Sequence, residues 1–342
     1  MKTVAVIGGG SWGSAFSLHL ARLGIRVRLW IREAEIHDLA VRTRENPVFL
    51  PGHVFPDKAS FHSDLEETLA GVDTVFIAVP SLFFRKIFTG VAAALHGDTD
   101  IVSLTKGIEK KSLRRMSEIL AEIRLARGRA RIAVLSGPSF AREVAECHPT
   151  ALVLAAADPD LSRRLQHRIS DHRLRVYTSR DVTGVEIAGA LKNIIAIAAG
   201  LSDAMDFGFN SRAALVTRGL AEIARLGTRL GARRDTFAGL AGLGDLVLTC
   251  TGPLSRNRHV GLELGRGRSL SEIIGRMRET AEGIPTTISA RELARREGVD
   301  LPITEQVYQV LYRRKDPRRA LADLMTRTLR EESERFGTET IP

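Results

Sequence analysis

Lys2-Thr-Val-Ala-Val-Ile-Gly8-Gly-Gly10-Ser-Trp-Gly13 is a short β-branched run that stops at glycines, and helix-like Ser14-Ala-Phe-Ser-Leu-His-Leu-Ala-Arg-Leu-Gly24 follows it. The order predicts strand, tight turn, helix. Gly8 permits the turn, Gly10 lets the backbone approach a pyrophosphate, and Gly13 allows close helix packing, while the helix N-terminus offers free N–H groups to an anion. Such glycine spacing alone is a weak signal that a ligand-free turn also satisfies. Here a second strand, Arg26-Val-Arg-Leu-Trp-Ile31, comes next, and that context marks a dinucleotide site. Ser11 and Trp12 lie inside the turn. A strand selective for NAD usually ends on an acidic residue that holds the ribose 2′-OH, whereas here Arg32 precedes Glu33. Arg32 can stack on adenine or pair with a 2′-phosphate, so NADPH is favoured and Glu33 leaves NAD open. The plainer reading of Arg32 is a solvated arginine at a helix start.

Outward from this stretch, strand-like and helix-like segments alternate through roughly residue 180. That texture predicts a mostly parallel sheet covered by helices on both faces. Val72–Val79 is the clearest later strand, ended by Pro80-Ser81 and followed by a helix from Leu82 to Leu95. Further strands are expected at Asp100–Leu104, Arg131–Ser136, Ala151–Ala155 and Leu174–Tyr177. From about Asp181 long helical patterns dominate, broken at Asp206–Ser211, Gly239–Asn257 and Gly283–Pro285. The expected fold is α/β, with an N-terminal Rossmann-type doubly wound sheet over residues 1–185 and a C-terminal all-helical domain over 186–342. Residues after Arg335 are expected to fray.

The 342 residues exceed one average domain, and their 44% hydrophobic content is normal for a globular core. Cys147 and Cys250 have no metal-like spacing, which suits a reducing compartment and argues against disulfides or a zinc site. No leader is visible and no uncharged apolar run has transmembrane length, so a cytoplasmic protein is expected. The net charge of +10 raises a nucleic-acid reading. Its arginines, however, are scattered over many elements without aromatic interleaving. A positive field of this kind would instead attract a phosphorylated substrate.

Lys192 is the residue that most needs a reason. It lies in Gly184-Val-Glu-Ile-Ala-Gly-Ala-Leu-Lys192-Asn-Ile-Ile-Ala-Ile-Ala-Ala-Gly200, where no residue three or four positions away can pair with its charge. Burying an unpaired ammonium costs several kcal/mol, so it is paired across space, shifted towards neutrality, used on a substrate, or snorkelling to water. Three other segments join reactive side chains to glycine-permitted backbone. Lys106 follows the Asp100–Leu104 strand directly, where open α/β sheets present ligand-binding groups. Ser136-Gly137-Pro-Ser139-Phe-Ala141 is a strand end leading into a helix start; its plainer reading is an N-cap at Ser136 or Ser139. Gly239–Asp245 places a carboxylate among glycines and apolar residues, able to anchor a lysine across space, and Ser255-Arg256-Asn257 follows with donors suited to phosphate. Singly these are caps and loops. Together they supply lysines, a carboxylate and phosphate donors, the set that reduction of a phosphorylated ketone requires.

In order along the chain, Gly8-x-Gly10-Ser-Trp-Gly13, Val79-Pro-Ser81, Thr105-Lys-Gly107, Ser136-Gly-Pro-Ser-Phe-Ala141, Gly189-Ala-Leu-Lys192-Asn193, Gly242-Leu-Gly-Asp245-Leu, Cys250-Thr, Ser255-Arg-Asn257-Arg258, Glu282-Gly283 and Leu301-Pro-Ile-Thr-Glu305 resemble bacterial NAD(P)-dependent sn-glycerol-3-phosphate dehydrogenase. The resemblance runs to about residue 312. It implies that Lys192 is the proton-transfer group. It implies substrate contacts at Lys106, Gly137, Ser139, Lys192, Asp245, Ser255, Arg256 and Asn257. Cofactor contacts are implied at Ser11, Trp12, Arg32, Lys106, Ala141, Arg256 and Glu282, beside Gly8, Gly10 and Gly13. The family commonly has an apolar cofactor contact two residues before the glutamate, where this chain has Thr280.

The implied reaction is reduction of dihydroxyacetone phosphate by NADPH or NADH, with Lys192 protonating the alkoxide, no metal involved, and the product feeding phospholipid synthesis. Desolvation would lower the lysine pKa and Asp245 would raise it, a balance that could sit near working pH. The expected partner is a small phosphorylated substrate, with no nucleic acid and no integral membrane segment, and a homodimer is a candidate assembly. Two rivals stand beside this reading. A related reductase of 2-keto or 3-hydroxy acids would not need the Ser255–Asn257 donors, and a non-catalytic NAD(P)H sensor would need no lysine–aspartate pair.

Overall fold

The computed structural model describes residues 3–95, 99–125, 131–329 and 331–332; the expected fraying after Arg335 lies outside the described residues. Eight strands form one sheet: β1 (Thr3–Ile7), β2 (Arg26–Trp30), β3 (Ala59–His62), β4 (Thr74–Ile77), β5 (Asp100–Ser103), β6 (Arg131–Ser136), β7 (Thr150–Ala156) and β8 (Leu174–Ser179). Their order is β3-β2-β1-β4-β5-β6-β7-β8. All neighbours are parallel except β6 and β7, which pair antiparallel from Ala133↔Ala156 to Ser136↔Val153. The strand order reverses between β1 and β4, where open α/β sheets leave a crevice at their carboxyl ends.

Alternation along β1 shows why the sheet is covered on both sides. Val4 and Val6 pack with Phe16, Leu18 and Leu29 on one face. Ala5 and Ile7 pack with Val75, Ile77, Phe84 and Phe88 on the other. The covering helices are α1 (Ser11–Arg22), α2 (Ala34–Thr43), α3 (Leu65–Leu69), α4 (Phe84–Ala94), α5 (Met116–Leu125), α6 (Ala141–Ala145) and α7 (Pro159–Ile169). α4 is preceded by a single 3-10 turn at Ser81–Phe83, which realises the helix expected after Pro80. The strand expected over Val72–Val79 is confined to Thr74–Ile77, because Val72 and Val79 lie in the connections on either side. β3, a four-residue edge strand, was not among the expected strands.

After β8 the described chain is helical: α8 (Val182–Ala204), α9 (Gly208–Arg229), α10 (Arg234–Ala238), α11 (Asp245–Thr251), α12 (Arg256–Gly265), α13 (Leu270–Arg276), α14 (Gly283–Glu297), α15 (Pro302–Arg313) and α16 (Pro317–Met325). Gly283-Ile-Pro285, expected as a break, instead starts α14, since a proline in the first helical turn gives up no intrahelical bond. The Gly239–Asn257 stretch likewise holds a π-helical turn at Leu240–Gly244 and all of α11.

α8 is buried on nearly all sides and forms the axis of this second core, its Ile194 and Ile197 packed with Ile223, Leu246 and Leu293. By length and composition it alone among the described helices could cross a membrane, yet 83% of its apolar window is buried inside the protein. It meets α12 at backbone distance. A Cβ on Gly200 would fall 2.0 Å from the Arg258 carbonyl oxygen, and one on Gly261 would fall 2.0 Å from that of Ile197.

Candidate active site

The β1 turn is built as its glycines require. Gly8 has φ +120°, and a Cβ there would meet the Ala78 carbonyl oxygen at 2.5 Å. A Cβ on Gly13 would lie 1.9 Å from the Gly8 oxygen, so α1 can start this close to the strand only with glycine there. Gly10, by contrast, faces open space and precedes α1 without any side-chain cap. The first N–H groups of a twelve-residue helix therefore meet the cleft without a side-chain cap.

That cleft is a cavity of about 960 Å³ between the carboxyl end of the sheet and the helical half. Gly8, Gly10, Ser11, Trp12, Arg32, Lys106, Ser139, Ala141, Lys192, Ser255, Arg256, Asn257, Thr280 and Glu282 all line it. Three expected site residues do not. Gly13 is packed behind the turn, Gly137 turns the backbone with φ +134°, and Asp245 is buried beneath the two lysines at 1% exposure.

Lys192 is 7% exposed, which excludes snorkelling. Its ammonium donates to Asp245 Oδ1 at 2.5 Å and to Thr249 Oγ1 at 2.7 Å. Asp245 is shared, because Lys106 Nζ donates to its other oxygen at 2.7 Å and to the Gly137 carbonyl at 3.1 Å. Burial lowers the Lys192 pKa to about 7; Asp245 acts against the shift and the Lys106 charge adds to it. Lys106 is placed by Thr105, whose hydroxyl donates to the Val79 carbonyl at 2.7 Å and ties the β5 loop to the end of β4.

The serines divide between caps and the cavity. Neither Ser136 nor Ser139 caps α6, whose N-cap is Phe140. Ser139 donates to the Gly137 carbonyl at 3.1 Å instead. Ser255 does cap α12, accepting the Arg258 N–H at 3.2 Å. Asn257 donates to Asn193 Oδ1 at 2.9 Å and accepts the Gly283 N–H at 2.9 Å, which leaves one amide hydrogen for a ligand. Glu282 accepts the Ser81 N–H at 2.9 Å and the Ser81 hydroxyl at 2.5 Å, and burial raises its pKa. At the rim Arg32 pairs with Glu33 at 2.5 Å and lies over the Phe83 ring at 5.6 Å.

Sequence reasoning did not single out Thr249 or Glu279. Thr249 stands four residues after Asp245 on α11, a spacing that puts both on one helix face and could have flagged it. Glu279 accepts from the Ser11 hydroxyl at 2.6 Å and from the Arg256 guanidinium. Its sequence separation of 268 residues from Ser11 gives no local signal.

The donors suit a dinucleotide and a phosphorylated ligand: a glycine cradle and helix N-terminus at one end, a second helix N-terminus with Arg256 and Asn257 at the other, and a buried lysine between. Residues 3–162 match the family model described as NAD-dependent glycerol-3-phosphate dehydrogenase N-terminus, and residues 181–322 match that of its C-terminus. Glycerol-3-phosphate dehydrogenase [NAD(P)+] of Syntrophotalea carbinolica is 49% identical over 96% of this chain and 99% of its own length. That of Citrifermentans bemidjiense is 51% identical over 97% and 99%. The crystal structure of glycerol-3-phosphate dehydrogenase from Coxiella burnetii superposes with a TM-score of 0.92 at 41% identity, covering 95% of this chain and 99% of that one. With both halves matched in order and a shared cleft between them, the chain belongs to the NAD(P)-dependent glycerol-3-phosphate dehydrogenase family.

Proposed function

We propose that the protein catalyses the reversible reduction of dihydroxyacetone phosphate to sn-glycerol 3-phosphate with NADPH or NADH, and that Lys192 is its proton donor. The observation that carries this reading is the buried Lys192–Asp245–Lys106 cluster, opening on a cavity that also holds the glycine turn and Arg256. Residues 1–185 would hold the dinucleotide through Gly8, Gly10, Gly13, Ser11, Trp12, Arg32 and Ala141, with Thr280 and Glu282 reaching it from the helical half. Residues 186–342 would supply the proton and the phosphate cradle.

When bound, the reduced nicotinamide supplies the hydride. The chain does the rest. Lys192, with a pKa lowered to about 7, gives its proton to the ketone oxygen as negative charge develops there, and in the reverse direction it removes the hydroxyl proton. Asp245 keeps a fraction of Lys192 charged and fixes its position, while Lys106 brings a second positive charge near the developing alkoxide. Ser255, Arg256 and Asn257, with the first N–H groups of α12, hold the phosphate, Ser139 lines the cavity, and the Gly137 carbonyl positions Lys106. Arg32 favours NADPH by pairing with the 2′-phosphate in place of Glu33. The two thiols, neither in a disulfide, support a cytoplasmic setting, where the product would feed glycerophospholipid synthesis.

The test is the loss of reduced-nicotinamide absorbance when purified protein meets dihydroxyacetone phosphate, with NADPH and NADH in parallel and unphosphorylated dihydroxyacetone as control. Phosphate-dependent oxidation is expected, and the ratio of the two cofactor rates reads the role of Arg32. No oxidation with either nucleotide would move the assignment to another keto substrate or to the sensor.

A further inference from the structure

Glu279 sits where a carboxylate is out of place. It lies on the short stretch between α13 and α14 and lines the cavity. One oxygen is 2.6 Å from the Ser11 hydroxyl, at the first residue of α1, and the other is bound by the Arg256 guanidinium. The Phe49 carbonyl, 2.7 Å away, competes for the single hydroxyl proton, but a charged acceptor is the stronger one. The uncapped N-terminus of α1 adds partial positive charge beside the same carboxylate. Glu279 therefore takes up three features that otherwise suit a phosphate: a hydroxyl, a guanidinium and a helix N-terminus.

We infer that Glu279 is an internal competitor for the dinucleotide phosphates and sets cofactor affinity by holding Ser11 and Arg256 against them. A pyrophosphate that approaches the glycine turn must first break both contacts, and the freed carboxylate then repels it unless the side chain swings away. The carboxylate also joins the sheet half to the helical half, beside the Ser81–Glu282 and Lys106–Asp245 contacts. The contact lies at the glycine turn, not at the Arg32 rim, so it acts on NADPH and NADH alike. This separates its effect from that of Arg32. If about nine molecules in ten hold the contact, apparent cofactor affinity is lowered roughly tenfold.

The inference rests on the dehydrogenase reading, and its test is direct binding without ketone. NADPH and NADH are titrated separately into wild-type protein, Glu279→Gln and Glu279→Ala, following nucleotide fluorescence, with melting temperatures as the check on folding. Gln keeps the shape without the charge and Ala removes both, so either variant carries the test if the other folds poorly. Both are expected to bind each nucleotide roughly tenfold tighter, with the NADPH-to-NADH ratio unchanged. Equal or weaker binding overturns the inference, and weaker binding would make Glu279 part of the bound site. A change confined to one nucleotide also overturns it. Wild-type protein that binds neither nucleotide sinks the dehydrogenase reading as well.

Discussion

An ammonium held in an apolar helix has a proton affinity set by two opposed effects, and at Lys192 burial outweighs the attraction of Asp245. The direction fixes a pH profile. Reduction needs the charged lysine, so kcat/KM for the ketone should fall as pH rises through about 7, while oxidation of the alcohol should rise over the same range. Asp245→Asn removes the influence that raises the pKa and should move both limbs to lower pH; a profile that stays in place would detach Asp245 from the titration. Lys192→Ala should lower turnover about 10²- to 10⁴-fold, the usual worth of a positioned acid, with nucleotide binding by fluorescence nearly intact. Normal turnover in that variant would remove Lys192 from catalysis. The same lysine also affects stability. The unfolded chain keeps its proton up to about 10.5 and the folded chain only to about 7, so the cost of burying the charge is relieved as pH rises between the two.

At the scale of elements, α15 shows a second buried charge with a different role. Glu222 of α9 accepts the N–H groups of Ile303 and Thr304 and the Thr304 hydroxyl, satisfying the start of α15 from a neighbouring helix. Burial raises its pKa from 4.5 to about 7. Its contribution is complete below about 4.5 and is lost as pH rises through 7, where the carboxyl must ionise inside the core. Glu222→Gln, whose amide nitrogen cannot accept from one of these donors, should therefore be less stable than wild type near pH 4.5, and the deficit should shrink by up to about 3 kcal/mol by pH 8. A gap that does not depend on pH would contradict this. The elements also show what a sequence can reveal. β1, β4, β5 and β6 are legible because runs with β-branched residues end at glycine, proline or serine. β3 is not: Ala59-Ser-Phe-His62 has one aromatic, no β-branched residue and a single neighbour, and pairing with β2 makes it a strand. Gly283-Ile-Pro285 carries the marks of both a break and a helix start, and only the packing of α14 against α8 decides between them.

Across the whole molecule, the site was legible where chemistry is written into short motifs and illegible where two distant segments meet. Lys106, Lys192, Asp245 and Arg256 are each recognisable from their surroundings, but that one aspartate serves both lysines is a fact of the assembled cleft. Glu279 looks like any solvated glutamate until Ser11, from the other end of the chain, is placed against it. The net charge of +10 acts at this scale as well. Raising ionic strength from about 0.05 to about 0.5 M should lower kcat/KM for the phosphorylated ketone several-fold, through screening of attraction over distances beyond the Debye length. Unphosphorylated dihydroxyacetone should respond far less; equal responses would place the effect in the cofactor.

Where α8 and α12 cross, backbone lies on backbone at Gly200 and Gly261. Lys192 lies about two turns along one helix from that point, and Ser255 lies six residues before it along the other. If Lys192 and Ser255 have the roles proposed above, the two glycines act as the rivet of a calliper whose jaws are the proton donor and the phosphate cradle. An alanine at either glycine should then spread those jaws and weaken the preference for the three-carbon substrate, through two residues that never touch it.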